Sequence, residues 1–175
     1  TRLVGHKGVD LMKEVLEKSL YERNIQYVVL GSGEWEYENY FRYLHDKYPD
    51  KVGITIGFVP DLARKIYAGA DLFLMPSKSE PCGLSQMVAL RYGPLPIVRE
   101  TGGLKDSITD CGDGQGNGFT FKTYDAYDML GAIYRGVDAY NSKDWNVLVK
   151  RALECDMSWG KSANEYIKMY RSLLK

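Results

Sequence analysis

No stretch of this 175-residue sequence stays apolar for long. The apolar runs Tyr27 to Leu30 and Leu72 to Met75 are far shorter than the ~20 residues a membrane-spanning helix needs. No membrane partner is expected. An excess of charge of one sign is missing too, because 23 Lys and Arg balance 23 Asp and Glu. Without a global field to draw a polyanion, nucleic acid is not an expected partner either. Cysteine is scarce: Cys82, Cys111 and Cys155 are odd in number, at spacings that match neither a disulfide framework nor a zinc site. The two histidines, His6 and His45, stand alone, so no cluster of ligands suggests a metal. Nothing at the start resembles a signal peptide. Together these absences lead us to expect a soluble, cytoplasmic protein of one domain with no metal or organic cofactor.

What the sequence has is alternation. Short runs rich in Val, Ile, Leu and Phe are separated by longer stretches of helical period, the pattern of a parallel sheet covered by helices. The expected strands are Gln26 to Leu30, Val52 to Ile56, Asp71 to Met75, Leu95 to Val98 and Gly118 to Phe121. All but the last lack clear alternation and read as buried. Apolar residues recur every three or four positions in Val9 to Arg23, Trp35 to Tyr48, Asp61 to Ala68, Leu84 to Tyr92 and Tyr124 to Tyr140, which are the expected crossover helices. Two more, Trp145 to Cys155 and Trp159 to Leu174, follow without an intervening strand. Glycine clusters fall just after strands, where ligands bind in open parallel sheets.

The opening Thr1-Arg-Leu-Val-Gly-His-Lys-Gly reads as a loop before a helix with no strand ahead of it. A doubly wound sheet normally begins with a strand. The expectation is therefore a piece of a longer protein, whose remainder supplies that strand and another domain.

Four places carry residues suited to chemistry. Arg2 and Lys7 lie five positions apart in that opening loop, beside a helix start. Two cations and a helix N-terminus suit a diphosphate, although on spacing alone two solvated surface cations are the commoner meaning. Next, Met75-Pro-Ser-Lys-Ser-Glu-Pro-Cys-Gly-Leu-Ser-Gln follows a strand and opens a helix near Gly83. The free amides of Gly83, Leu84 and Ser85 suit an anion. Glu80 beside them suits sugar hydroxyls, or serves as an ordinary acid stabilised by the helix dipole. Cys82 reads more simply as a small turn residue than as an activated thiol. Phe58, after Gly57, suits stacking on a base or plain loop packing. Lastly, Arg99-Glu-Thr-Gly-Gly-Leu-Lys-Asp ends a strand and caps a following helix. Gly31-Ser-Gly33 lacks the third glycine of a dinucleotide fingerprint. Tyr37, Tyr40, Tyr43 and Tyr48 read mainly as packing, with glucan contact a minor alternative.

Taken in order, Thr1-Arg-Leu-Val-Gly-His-Lys-Gly, Ser77-Lys-Ser-Glu-Pro-Cys-Gly-Leu-Ser-Gln and Arg99-Glu-Thr-Gly-Gly-Leu closely resemble the C-terminal domain of bacterial glycogen synthases and plant starch synthases. The resemblance runs the whole chain, through Asp156-Met-Ser-Trp, and is weakest from about Asn141 to Glu154. It implies the C-terminal, Rossmann-like half of a GT-B glycosyltransferase over residues 1–157, and a helix over 158–175 that either crosses to the other domain, as is common in such enzymes, or stays with its own. It further implies a metal-free retaining transfer of glucose from ADP-glucose to an α-1,4-glucan. Arg2 and Lys7 would hold the diphosphate and Glu80 the donor glucose. Cys82, Gly83, Leu84, Ser85, Thr101, Gly102 and Gly103 would line the donor site, and Phe58 would face the adenine. This piece by itself is expected to be inactive. Two positions depart from related patterns. Val88 stands where related UDP- or GDP-sugar transferases place a second glutamate, which favours the glycogen synthase branch. Ser79 replaces the usual phenylalanine before Glu80. A UDP-sugar transferase and a non-catalytic nucleotide-sugar module are the competing expectations.

Overall fold

A computed structural model describes residues 1–174, Asp113 by its backbone alone. Six strands and eight α-helices alternate along the described residues. The first half runs β1 (Arg2–Leu3), α1 (Val9–Glu22), β2 (Tyr27–Gly33), α2 (Trp35–Lys47), β3 (Val52–Ile56) and α3 (Pro60–Gly69). The second runs β4 (Leu72–Met75), α4 (Ser85–Tyr92), β5 (Leu95–Arg99), α5 (Gly102–Ser107), β6 (Phe119–Phe121), α6 (Ala126–Tyr140), α7 (Trp145–Glu154) and α8 (Trp159–Leu173). Every strand pair is parallel, in the orders β1-β2-β3 and β4-β5-β6. Parallel neighbours cannot be joined by a tight hairpin, so a helix makes each crossover. The expected α/β class is the one found.

Local chemistry explains where elements begin. Asp125 accepts the Tyr127 and Asp128 amides at 2.9 Å each and so caps α6, satisfying donors a helix start leaves open. Pro60 stands at the first position of α3, where its missing N–H costs nothing. One apolar cluster unites the layers. Leu16 and Leu20 of α1 pack with Phe41 and Leu44 of α2, and Leu95 and Ile97 of β5 with Met129 and Ile133 of α6. Each such side chain withdrawn from water contributes ~1.5–3 kcal/mol. Of the four tyrosines singled out on α2 and its end, Tyr37, Tyr40 and Tyr48 pack against this cluster.

Two expectations are corrected. The opening is not simply a loop, because Arg2 and Leu3 pair with Ser32 and Gly33 as a short strand. Two residues are too few to show a period. The last strand, read as the less buried one, is fully buried at Phe119, Thr120 and Phe121, while Val28 of β2 is 62% exposed. Alternation reports what covers a strand, and that depends on distant segments. The helix expected to follow the Arg99 turn is α5, whose six residues span under two turns. Gly31 and Gly33 bring β1 close, for a Cβ there would lie 2.2 and 2.1 Å from the Thr1 and Leu3 carbonyl oxygens. Their packing role replaces any part in a phosphate loop. Lys175, the last residue of the expected terminal helix, lies outside the described residues.

Asp110 ties β6 to α6. Its carboxylate takes two bonds from Arg135 at 2.7 and 2.8 Å, the Thr120 amide at 2.7 Å and the Gly112 amide at 2.8 Å. Burial alone would raise its pKa, but these donors outweigh it and hold the group below its ordinary 3.8. A carboxyl more acidic when folded stabilises the fold above its unfolded pKa and loses that contribution as pH falls through the folded value. Urea midpoints should therefore drop less between about pH 4 and pH 2 in Asp110→Asn than in the parent protein. Equal acid slopes would refute this role.

Candidate functional site

The site forms where the ends of β1 and β4 meet. A 3-10 turn, Gly5–Lys7, leaves β1 and closes on Gly8, whose φ of 79° is left-handed. Its geometry aims Lys7 at the loop after β4. There the Lys7 ammonium pairs with the Glu80 carboxylate, and Ser77 Oγ donates to the same carboxylate oxygen at 3.2 Å. The two side chains are only 19% and 11% exposed, so water screens their attraction less than at the surface. Residues 73 positions apart thus become one charged unit.

Beside this pair α4 begins without a side-chain cap. The Gly83, Leu84 and Ser85 amides donate to no acceptor among the described residues. Gly83 has φ 74°, and Leu84 and the Cys82 thiol are exposed. Unpaired amides at a helix start are of the kind that suits an anion. Thr101, Gly102 and Gly103 stand behind the loop. The Gly103 amide donates to the Glu80 and Pro81 carbonyls at 3.1 Å each, and Gly102 and Gly103 lie so close that added Cβ atoms would sit 2.3 Å from the Glu80 oxygen and 2.0 Å from the Cys82 oxygen. These residues brace the loop that carries Glu80.

Arg2 is exposed, and its guanidinium has no partner among the described residues. It stands on the strand leading to Lys7 and is free to meet a ligand. Phe58, after Gly57, is 91% exposed. Val88 of α4 is 37% exposed, without charge for a ribose. Cavities of 450 and 500 Å³ lie beside α8 and between α6 and α7; neither is lined by Lys7 or Glu80. No group of three or more His, Cys, Asp and Glu converges among the described residues, and no helix there is long and apolar enough to cross a membrane.

Residue patterns alone miss several contributors. Gln86, fully buried, donates to the Cys82 and Gly83 carbonyls at 3.2 and 3.1 Å and to Ser107 Oγ at 3.1 Å, fastening the amide loop to α5. Arg99 and Tyr124 also reach the site. Gln86 and Arg99 lie inside the recognised motifs, where their presence was the available signal; Tyr124 carried none.

The described residues thus form a parallel α/β unit with a cation–carboxylate pair and open helix amides at its strand ends. Residues 1–152 match the glycosyl transferases group 1 family, and the chain belongs to it. It is 49% identical over its whole length to a glycogen synthase of Bacillus cereus, covering 37% of that protein. A glycogen synthase of Fervidobacterium nodosum is 52% identical over 97% of the chain and 36% of its own length. Among solved structures, the catalytic domain of starch synthase IV from Arabidopsis thaliana, bound to ADP and acarbose, superposes with a TM-score of 0.87. It has 38% identity, over the whole chain and 38% of that domain. The fold is accordingly that of one half of a GT-B glycosyltransferase. The chain spans a little over a third of the length of the curated relatives it matches.

Proposed function

We propose that this chain is the donor-binding part of an ADP-glucose-dependent glycogen synthase, which extends an α-1,4-glucan at its non-reducing end with retention. The observation that carries this reading is the Lys7–Glu80 pair set beside the unpaired amides of Gly83 to Ser85. Cations and amides together suit a diphosphate, and a carboxylate held by a cation accepts hydrogen bonds from sugar hydroxyls. The glycogen synthase relatives and the ADP held by the starch synthase structure support the same assignment.

In this mechanism Arg2 and Lys7 meet the growing negative charge as ADP departs, and the Gly83 to Ser85 amides hold the distal phosphate. Glu80 orients the glucose and Phe58 offers its ring to adenine. Preorganised charges of this kind act most strongly where water is excluded. They supply the stabilisation without a metal or organic cofactor. The rest of the longer protein provides the acceptor side of the cleft and covers the apolar side of α8, which has no buried residue and exposes Tyr166, Ile167, Met169 and Tyr170. The cytoplasm, where nucleotide sugars are made, is the corresponding compartment.

Calorimetry on the full-length protein with ADP, UDP and their glucose conjugates tests the donor. Adenine nucleotides should bind at least about tenfold tighter, a difference of ~1.4 kcal/mol. Preference for UDP would overturn the assignment, and binding without glucosyl transfer would point to a non-catalytic module.

A further inference from the structure

Lys7 follows β1 and Glu80 follows β4, yet no strand ladder joins β1-β2-β3 to β4-β5-β6 among the described residues. Something else must set the separation of the two charges. Arg99, at the end of β5, donates through Nε to the Ser77 carbonyl at 3.0 Å and through Nη2 to the Lys78 carbonyl. It therefore holds the backbone just before Glu80. The Tyr124 ring lies beneath both cations of that region, with Lys78 Nζ 5.4 Å and the Arg99 guanidinium carbon 5.7 Å from its centroid. Its hydroxyl faces the other sheet, donating to Asp10 of α1 at 2.5 Å and lying 3.2 Å from the Gly5 carbonyl. One amide bond runs alongside, from Lys78 to the His6 carbonyl at 2.9 Å. Burial and then the Asp10 bond push the Tyr124 pKa well up, so the phenol keeps its proton across ordinary pH.

Resting on the function proposed above, we infer that Tyr124 and Arg99 are positioning residues that clamp the Lys7 turn to the Glu80 loop. The side chain of Tyr124 touches both halves, and Arg99 makes its ring contact rigid on the Glu80 side. A fixed separation matters more for the transition state than for binding. Nucleotide can follow a loosened loop, but charge developing on the diphosphate needs Lys7 in place while Glu80 holds the sugar.

Tyr124→Phe removes the hydroxyl bonds and leaves the ring beneath its cations. In the full-length protein it should lower kcat about ten- to a hundredfold, with KM for the donor within about threefold and an unaltered far-ultraviolet dichroism spectrum. Arg99→Lys should show the same split, because one ammonium cannot reproduce the two-pronged hold. A double-variant cycle separates positioning from general structure. In a Lys7→Ala background, where no lysine remains to position, Tyr124→Phe should change kcat by less than about twofold. An equal loss in both backgrounds, a loss confined to KM, or a kcat within twofold of the parent overturns the clamp. If the parent uses ADP-glucose and Lys7→Ala lowers that turnover about a hundredfold while leaving it measurable, such results defeat the clamp alone; a parent that transfers no glucose from ADP-glucose defeats both.

Discussion

On the proposed function, Lys7→Ala is expected to lower glucosyl transfer by the full-length protein at least about a hundredfold, the ~3 kcal/mol that loss of one preorganised charge contact commonly costs. Lys7 projects from a turn held by the Gly8 amide on the Gly5 carbonyl at 2.9 Å. Its ammonium is already three-quarters or more out of water and partnered by Glu80. Little reorganisation is then needed when charge appears on the diphosphate. The same substitution strands the Glu80 carboxylate with Ser77 as its one side-chain donor among the described residues, so stability is expected to fall as well. Adding Glu80→Gln separates the effects: the double variant should recover melting temperature without recovering turnover. Arg2→Ala should cost a comparable factor in turnover with little loss of stability, because the exposed Arg2 side chain supports no other group. Incorporation of labelled glucose into glucan measures all three. A Lys7→Ala rate within tenfold of the parent would remove Lys7 from the mechanism.

Gly8→Ala is expected to be a severely damaging single-methyl change at the site. Two independent costs coincide there. With φ at 79°, a side chain brings a left-handed penalty of ~1–2 kcal/mol. The added carbon would also sit 2.2 Å from the Pro76 carbonyl oxygen and 2.8 Å from its carbon. Backbone cannot swing aside as a flexible side chain would, so the turn bearing Lys7 must move away from the end of β4. Glu80 lies four residues past Pro76, and the pair separates. Melting should fall by several degrees, and turnover should fall about a hundredfold even well below the melting transition. Gly69→Ala, with nothing within 4 Å of its added carbon, is the control and should leave turnover unchanged. Parent-like activity in Gly8→Ala would show that the two loops are not coupled through this contact.

The residues that proved legible in the sequence share a physical trait: their meaning is local. Alternating apolar runs and helical periods marked β3 (Val52–Ile56) exactly where it lies and α2 to within a residue at its end. The free amides at Gly83 to Ser85 followed from the expected opening of a helix near Gly83. What stayed hidden depended on distant partners. Arg2–Leu3 is a strand only because β2 offers a parallel edge, and β6 is buried because α6 and β5 cover it. Tyr124 sits in an ordinary Thr-Tyr-Asp stretch, yet its hydroxyl lies against residues more than a hundred positions away.

The same division runs through Lys7 and Glu80. Apolar periodicity by itself determined the α/β class, and the resemblance of three ordered motifs pointed to the family, because backbone periodicity and side-chain chemistry are written position by position. Only the tertiary structure decided that these two charges, 73 residues apart, neutralise each other beside three open amides, and that Gly102 and Gly103 brace the loop between them. The reason is geometric. Ion pairing, close backbone approach and burial are properties of separation in space, and separation in space is set by how the helices pack the two sheets together.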